Sequence, residues 1–280
     1  MKKVWVIGHR GTAAHAPQNT NAAFQTAYRM KADGIETDLQ LTADNVLVVN
    51  HNYFIDDNSN GSGAICNMTY DELVKYDYGA YKDEKFAGEK ILTIDELLDI
   101  VKDFEIINLE LKSALHKDEP FAKTVVDAVD RKGLTEKVIF SSFDVNLIRE
   151  IKGYGKQYKV GYLTMPEGYM SKMREMTAMI FSMYPVDSAY VDKIMKDVNT
   201  QKTMRELISE LDFEIDYWHP HYSTALQYPD LIKELSEKGI GCNPWTVDDA
   251  EVMKKCIEIG CTGIISNLPD LTYKVVNGEV

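Results

Sequence analysis

Short apolar runs alternate along this chain with segments whose apolar positions recur every three or four residues. The first pattern reads as buried strands and the second as amphipathic helices. The strand runs are "KVWVIG" (3–8), "GIETDLQ" (34–40), "EIINLELK" (105–112), "KVIFSS" (137–142), "YKVGYLT" (158–164), "FEIDYW" (213–218), "GIGCNPWT" (239–246) and "TGIIS" (262–266). Helical patterns such as "TNAAFQTAYRMKA", "TIDELLDIVKD" and "EPFAKTVVDAVDRKG" separate most of them, and several close on Gly, the usual left-handed stop. Eight strands alternating with helices predict an α/β fold, a (β/α)8 barrel, which takes about 250 residues. The competing doubly wound sheet is disfavoured because no GxGxxG loop follows the first strand.

Two segments exceed a minimal barrel. Residues 53–90 are loop-rich and follow strand two, and residues 165–200 follow strand five and carry seven of the twelve methionines. The chain is therefore expected to be one barrel domain over 1–280, with insertions at about 53–90 and 165–200. Both insertions would leave from the C-terminal ends of strands, where such barrels build their sites. Within the second, Tyr169, Met173, Met176, Ile180 and Met183 form one helical stripe between Pro166 and Pro185. That stripe reads first as a cap packed on strands five and six, and second as a movable lid.

Composition narrows the function. A net charge of −13 excludes nucleic acid as a partner class, since phosphate backbones need neutralising Lys and Arg, and also argues against anionic membranes. Stable membrane insertion is not expected, because no run approaches the roughly 18 apolar residues of a bilayer span. Lys2 and Lys3 precede only four apolar residues, too few for a secretory signal, so a cytoplasmic location is expected. The four cysteines have neither a CxxC nor a zinc spacing and read as small buried thiols.

Charged residues then stand out where strands end. Residues two apart in a strand share a face, so Glu36 and Asp38 point one way from strand two, and Glu110 and Lys112 repeat this on strand three. Unpaired buried charges cost several kcal/mol. Two arrangements would relieve that cost: ion pairs with Arg10 and Lys112, or a divalent cation, for which all-oxygen ligands favour Mg²⁺ or Ca²⁺ over zinc. His9 ends strand one and His51 follows "NVLVVN", so both can reach the same rim and act as acid and base near neutral pH. Arg10 and Lys112 supply the positive charge a phosphate needs. Carboxylates, two histidines and two cations suit phosphodiester hydrolysis better than carbonyl or hydride chemistry.

The motifs "HRG" with "PQNT", "GIETDLQLTADNVLVVNH", "NLELKS", "SSFD", "HPHY", "PWTVDD" and "GIISNLPD" run in this order from about residue 3 to 272. Together they resemble the glycerophosphodiester phosphodiesterase family. The resemblance implies a TIM barrel with a small subdomain after strand two. It also implies one bound divalent metal and cleavage of a small glycerophosphodiester, such as glycerophosphocholine or glycerophosphoethanolamine, to sn-glycerol 3-phosphate and an alcohol. By motif, His9 and His51 would be the acid/base pair, and Glu36, Asp38 and Glu110 the metal ligands. Arg10 and Lys112 would hold phosphate oxygens, and Trp245 would line the pocket. Phospholipase D-like action on lysolipids, or a phospho-ligand-binding barrel without turnover, are the alternatives.

Three positions depart from the family pattern: Gln18 stands for Glu in "PENT", Asn52 for the Asp after the second histidine, and Asn267 for the Asp of "TDxP". Each change removes a negative charge near the mouth and bears on histidine orientation. Of the remaining candidates, His219 and His221 lack a third metal ligand and read as pocket wall or structure. Ser141 and Ser142 lack a GxSxG elbow, and His15 and His116 fall in loops.

Overall fold

A computed structural model describes residues 3–112, 120–166, 169 and 202–280. The strands are β1 (Trp5–His9), β2 (Gly34–Leu41), β3 (Leu47–Val49), β4 (Ile106–Leu111), β5 (Val138–Ser142), β6 (Lys159–Thr164), β7 (Tyr217–Pro220), β8 (Gly241–Cys242) and β9 (Gly263–Ser266). Eight of them run parallel in the order β8-β7-β6-β5-β4-β2-β1-β9, while β3 pairs antiparallel with β2 outside this path. Main-chain bonds bridge the two ends of the ladder: Thr262 N donates to Cys242 O (2.8 Å) and Ile265 N to Pro244 O (3.0 Å). The sheet thereby forms a nearly closed (β/α)8 barrel, with helices alternating around it.

The sequence pattern explains both faces of the wall. In β2, Ile35 and Leu39 point outward and pack among Phe24, Leu97, Leu98 and Val125 of the surrounding helices. Their neighbours Glu36, Asp38 and Gln40 therefore point inward, and all three are buried. Helix 121–131 presents Phe121, Ala122, Val125, Val126 and Val129 at helical spacing toward the same core. Each such fully buried aliphatic or aromatic side chain contributes about 1.5–3 kcal/mol. Thr93 starts helix 94–101 with a reciprocal Glu96 capping box, which fixes where that helix begins.

Three elements differ from the sequence reading. "NVLVVN" is not merely an apolar run, since Leu47–Val49 forms a strand on the edge of β2. β7 begins at Tyr217, not at Phe213. Asp216 uses its carboxylate to accept from Val160 N (2.8 Å) and Lys152 Nζ (2.7 Å), so the regular ladder starts only after it. β8 is reduced to two residues because Pro244 has no N–H, although Asn243 N and Trp245 N still bond to Trp218 O and Pro220 O.

Residues from 42 to 92 leave the barrel after β2 and build a small core of their own from Val48, Ile55, Ile65, Leu73, Tyr78 and Ile91. This excursion is tied down over the β1 loop. Tyr81 Oη accepts from Gln18 N (3.2 Å), and Lys82 Nζ donates to Ala13 O (2.8 Å). Of the helical stripe only Tyr169 falls among the described residues; Met173, Met176, Ile180 and Met183, and also His116, lie outside them. Among the described residues no helix is long and apolar enough to cross a membrane. All four cysteines are buried free thiols.

Candidate active site

The "GHRG" turn at the end of β1 is shaped by its neighbours. A Cβ on Gly8 would sit 1.9 Å from the Gly11 carbonyl oxygen, so no larger residue fits. Arg10 adopts φ 51°, a left-handed conformation that side chains resist at about 1–2 kcal/mol. The turn aims the main-chain N–H of Arg10 at Glu36 Oε2 (3.1 Å) and brings its Nε to 3.8 Å from Asp38 Oδ2. Arg10 Nη1 donates to Gln18 Oε1 (2.5 Å).

Strand register assembles the acids. His9 lies beside Glu36, and Asp38 beside Glu110, as cross-strand partners. Carboxylate oxygens of Glu36, Asp38 and Glu110 all fall within 4.8 Å of one another, and all three residues are buried. Lys112 Nζ reaches Asp38 Oδ1 at 2.8 Å and Glu110 Oε1 at 2.5 Å. His9 Nε2 stands 3.8 Å from Glu36 Oε2. His51, just past β3, lies close enough for Lys112, Asp38 and Arg10 to act on its charge.

Burial sets the protonation states, and neighbouring charge sorts them. Burial, with the charges of Asp38 and Glu110, pushes the Glu36 carboxyl well above its ordinary range. Burial also raises Glu110, against the pull of Lys112. At Asp38 burial acts upward too, but Lys112 and Arg10 outweigh it and hold the carboxyl well below the usual range. Burial lowers Lys112 while Asp38 and Glu110 raise it, and the acids win. Desolvation and then Arg10 bring His9 down to about 3, and desolvation and then Lys112 lower His51. Both imidazoles are therefore neutral at pH 7.

Both proposed partners of the acids meet in this geometry. Lys112 and Arg10 pair with Asp38 and Glu110, whereas Glu36 accepts from the Arg10 main-chain N–H, faces His9, and among the described residues forms no ion pair with Lys or Arg, which act on it only at longer range. With all three acids ionised, they would outnumber the two cations by one negative charge. A divalent ion would convert that to a single positive charge, matching a phosphodiester monoanion. The all-oxygen, three-carboxylate donor set fits a hard cation.

Trp245 stands apart from these seven residues, on the β8 side of the mouth. Its indole N–H donates to His219 O (2.9 Å), and its ring meets Phe143 (5.6 Å) and His221 (5.4 Å) edge-on. The mouth thus has a charged half at β1, β2 and β4 and an aromatic half at β5, β7 and β8. His219 itself is buried inside the barrel, where burial lowers it to about 3. Ser142 Oγ donates to Leu111 O, and His15 pairs with Asp270, so both are structural.

Asn19 was missed as a site residue by reasoning from sequence. Its Nδ2 donates to Asp38 Oδ2 (2.9 Å) while Thr37 Oγ1 donates to its Oδ1 (2.8 Å), which fixes the Asp38 carboxylate. The "PQNT" motif carried it in plain view, but nothing in that tetrapeptide says which strand it faces.

Fold and donor set together define a parallel barrel that can hold an anion against a cation at the C-terminal ends of its strands. The sequence pattern of the glycerophosphoryl diester phosphodiesterase family matches residues 9–271. The glycerophosphodiester phosphodiesterase of Caldanaerobacter subterraneus subsp. tengcongensis is 32% identical over 276 residues, covering 98% of each chain. That of Bacillus subtilis is 25% identical, covering 99% of this chain and 87% of the relative. The crystal structure of the glycerophosphodiester phosphodiesterase from Thermotoga maritima superposes with a TM-score of 0.69 at 26% identity, covering 98% of this chain and 99% of that one. An Oleispira antarctica phosphodiesterase, solved with the product sn-glycerol-3-phosphate, gives 0.72 at 21% identity, covering 99% and 97%. The chain belongs to the glycerophosphoryl diester phosphodiesterase family, a family of phosphodiester-cleaving enzymes.

Proposed function

We propose that this protein, as a single catalytic domain, hydrolyses glycerophosphodiesters such as glycerophosphocholine and glycerophosphoethanolamine to sn-glycerol 3-phosphate and an alcohol. The observation that carries this reading is the meeting at one rim of two half-buried imidazoles, held neutral by desolvation, with a triad of buried carboxylates whose member Glu36 forms no ion pair with Lys or Arg among the described residues. His9 and His51 are the proton-transfer pair: one takes the proton of the attacking hydroxyl, and the other protonates the leaving alkoxide. Arg10 and Lys112 hold phosphate oxygens and oppose the charge that grows on them. Glu36, Asp38 and Glu110 are the residues that would hold Mg²⁺ or Ca²⁺. When bound, such an ion supplies Lewis-acid polarisation of a phosphoryl oxygen.

The alcohol half of the substrate falls to the aromatic side of the mouth, with Trp245 as its wall. An aromatic face suits a quaternary ammonium group, which draws about 0.5–2 kcal/mol from each well-placed ring. The excursion held over the mouth by Tyr81 and Lys82 favours a small substrate over a lysolipid. Loss of turnover is disfavoured because Gln18, Asn52 and Asn267 are each engaged in holding Arg10, His51 and His9.

The test is release of glycerol 3-phosphate from glycerophosphocholine in EDTA, Mg²⁺ or Ca²⁺, with lysophosphatidylcholine as the competing substrate. Alanine at His9 or His51 is expected to lower kcat by about 10²–10⁴-fold. Near-normal turnover in both variants would remove the acid/base assignment. Activity indifferent to chelation would remove the ion.

A further inference from the structure

Each candidate acid/base histidine is backed by the same three-residue chain, and the two chains come from unrelated parts of the fold. His9 Nδ1 lies 2.7 Å from Asn267 Oδ1, and Asn267 Nδ2 donates to Asp248 Oδ2 at 2.7 Å. His51 Nδ1 lies 2.6 Å from Asn52 Oδ1, and Asn52 Nδ2 donates to Asp57 Oδ2 at 2.8 Å. Asp248 is further anchored, because its Oδ1 accepts from Ser266 Oγ (2.9 Å) and Asn267 N (2.8 Å).

The chemistry of these chains runs in one direction. A carboxylate only accepts, so it must face the NH₂ end of the neighbouring amide. That leaves the amide oxygen, also an acceptor, against the ring. The ring nitrogen it meets must then carry the hydrogen. Flipping either amide would set its oxygen against a carboxylate, which is repulsive. The outer aspartates therefore decide, through an intervening asparagine, which nitrogen of each imidazole is protonated.

We propose that Asp248 and Asp57 are positioning residues that keep the hydrogen on Nδ1 of His9 and His51, so that Nε2 is the atom each ring offers for proton transfer at the reacting phosphate. The assignment rests on the reading of His9 and His51 as the proton-transfer pair. At Asn267 and Asn52 the sequence loses a negative charge next to each ring, and the structure restores a carboxylate one residue further out. The rings keep their orientation but meet a neutral partner.

Asp248→Asn tests the relay at its sharpest point. Oδ1 of the new side chain would keep Ser266 and the Asn267 N–H, so its NH₂ group would face Asn267 Nδ2. Two donors then oppose each other, the Asn267 amide flips, and His9 is driven to the Nε2–H tautomer. In the full-length protein labelled with ¹⁵N-histidine, long-range ¹H–¹⁵N spectra should show pyrrole-type Nδ1 and pyridine-type Nε2 for both rings. In D248N the pattern of His9 should invert while that of His51 stays. With glycerophosphocholine and saturating Mg²⁺, kcat should fall about 10–100-fold with KM within about twofold. The exchange variant D248N/N267D rebuilds the chain with the carboxylate next to the ring, and should recover both the tautomer and most of kcat. Asp57→Ala should leave His51 as a mixture of tautomers with a smaller loss of kcat. An Nε2–H tautomer in the wild type, or a D248N variant with unchanged spectrum and kcat, would overturn the relay. Should H9A and H51A keep turnover while the spectra behave as described, the relay stands and the acid/base reading fails.

Discussion

Removing the ammonium of Lys112 is the most direct probe of the charged cluster. Its side chain is 10% exposed and lies between Asp38, fully buried, and Glu110, 9% exposed. Lys112→Met keeps the aliphatic stem and deletes the charge, leaving two buried carboxylates with Arg10 Nε at 3.8 Å from Asp38. Breaking one partner from a buried ion pair costs about 3–5 kcal/mol. A second limit applies, because the protein can escape by protonating Glu110, whose ordinary value is 4.5 and which burial already raises. At pH 7.5 that escape costs about 4 kcal/mol, at 1.36 kcal/mol per pH unit. The destabilisation expected in EDTA is therefore about 3–4 kcal/mol at pH 7.5. At pH 5.5 the escape costs only about 1.4 kcal/mol, so the deficit should shrink to about 1–1.5 kcal/mol. The sign follows from linkage: a carboxyl with a raised folded-state value binds its proton more readily folded than unfolded. The variant thus recovers stability as pH falls from that raised value toward 4.5. Urea unfolding of wild type and variant at the two pH values, with EDTA present, measures both numbers. A deficit equal at both pH values would mean that lost packing, not lost charge, causes it. A deficit below about 1 kcal/mol at pH 7.5 would mean that the carboxyls are already neutral.

Three further outcomes are expected. Magnesium or calcium at about 100 times its Kd should add about 2.7 kcal/mol and raise Tm by roughly 5–10 °C, and Glu36→Gln should abolish that rise without lowering Tm in EDTA. His219, buried and lowered to about 3, should make the wild type lose stability as pH falls through the ordinary histidine value of 6.5. Folded His219 stays neutral while the unfolded chain takes the proton, so at pH 5 wild type should have lost about 2 kcal/mol more than His219→Gln, read from urea unfolding; parallel pH curves would refute it. Trp245→Ala should raise KM for glycerophosphocholine more than for glycerophosphoethanolamine, and equal changes in steady-state assays would deny the ring a role in recognising the alcohol.

The chain's own pattern determined the larger part of this molecule. Alternation of buried runs with helical periodicity is a local property, so eight parallel strands and most helices could be read before any contact was known. The period of two in a strand likewise put Glu36 with Asp38, and Glu110 with Lys112, on shared faces. Residues that matter only through a distant partner were another matter. The bond from His9 to Asn267 spans 258 positions, and nothing near either residue announces it. Asn267 and Asn52 read in sequence as lost charges; only the folded chain shows Asp248 and Asp57 behind them. The same holds for Asn19, which the β1 loop folds back onto Asp38, and for Lys112 reaching Asp38 and Glu110, because strand register places those two acids side by side. β8 and the start of β7 shifted for a related reason: Pro244 lacks a donor, and Asp216 spends its carboxylate on Val160 N–H. Periodicity fixes which face a residue takes, while tertiary closure of the barrel buries it and chooses its partner, and at this site burial sets the protonation states and the partners sort them.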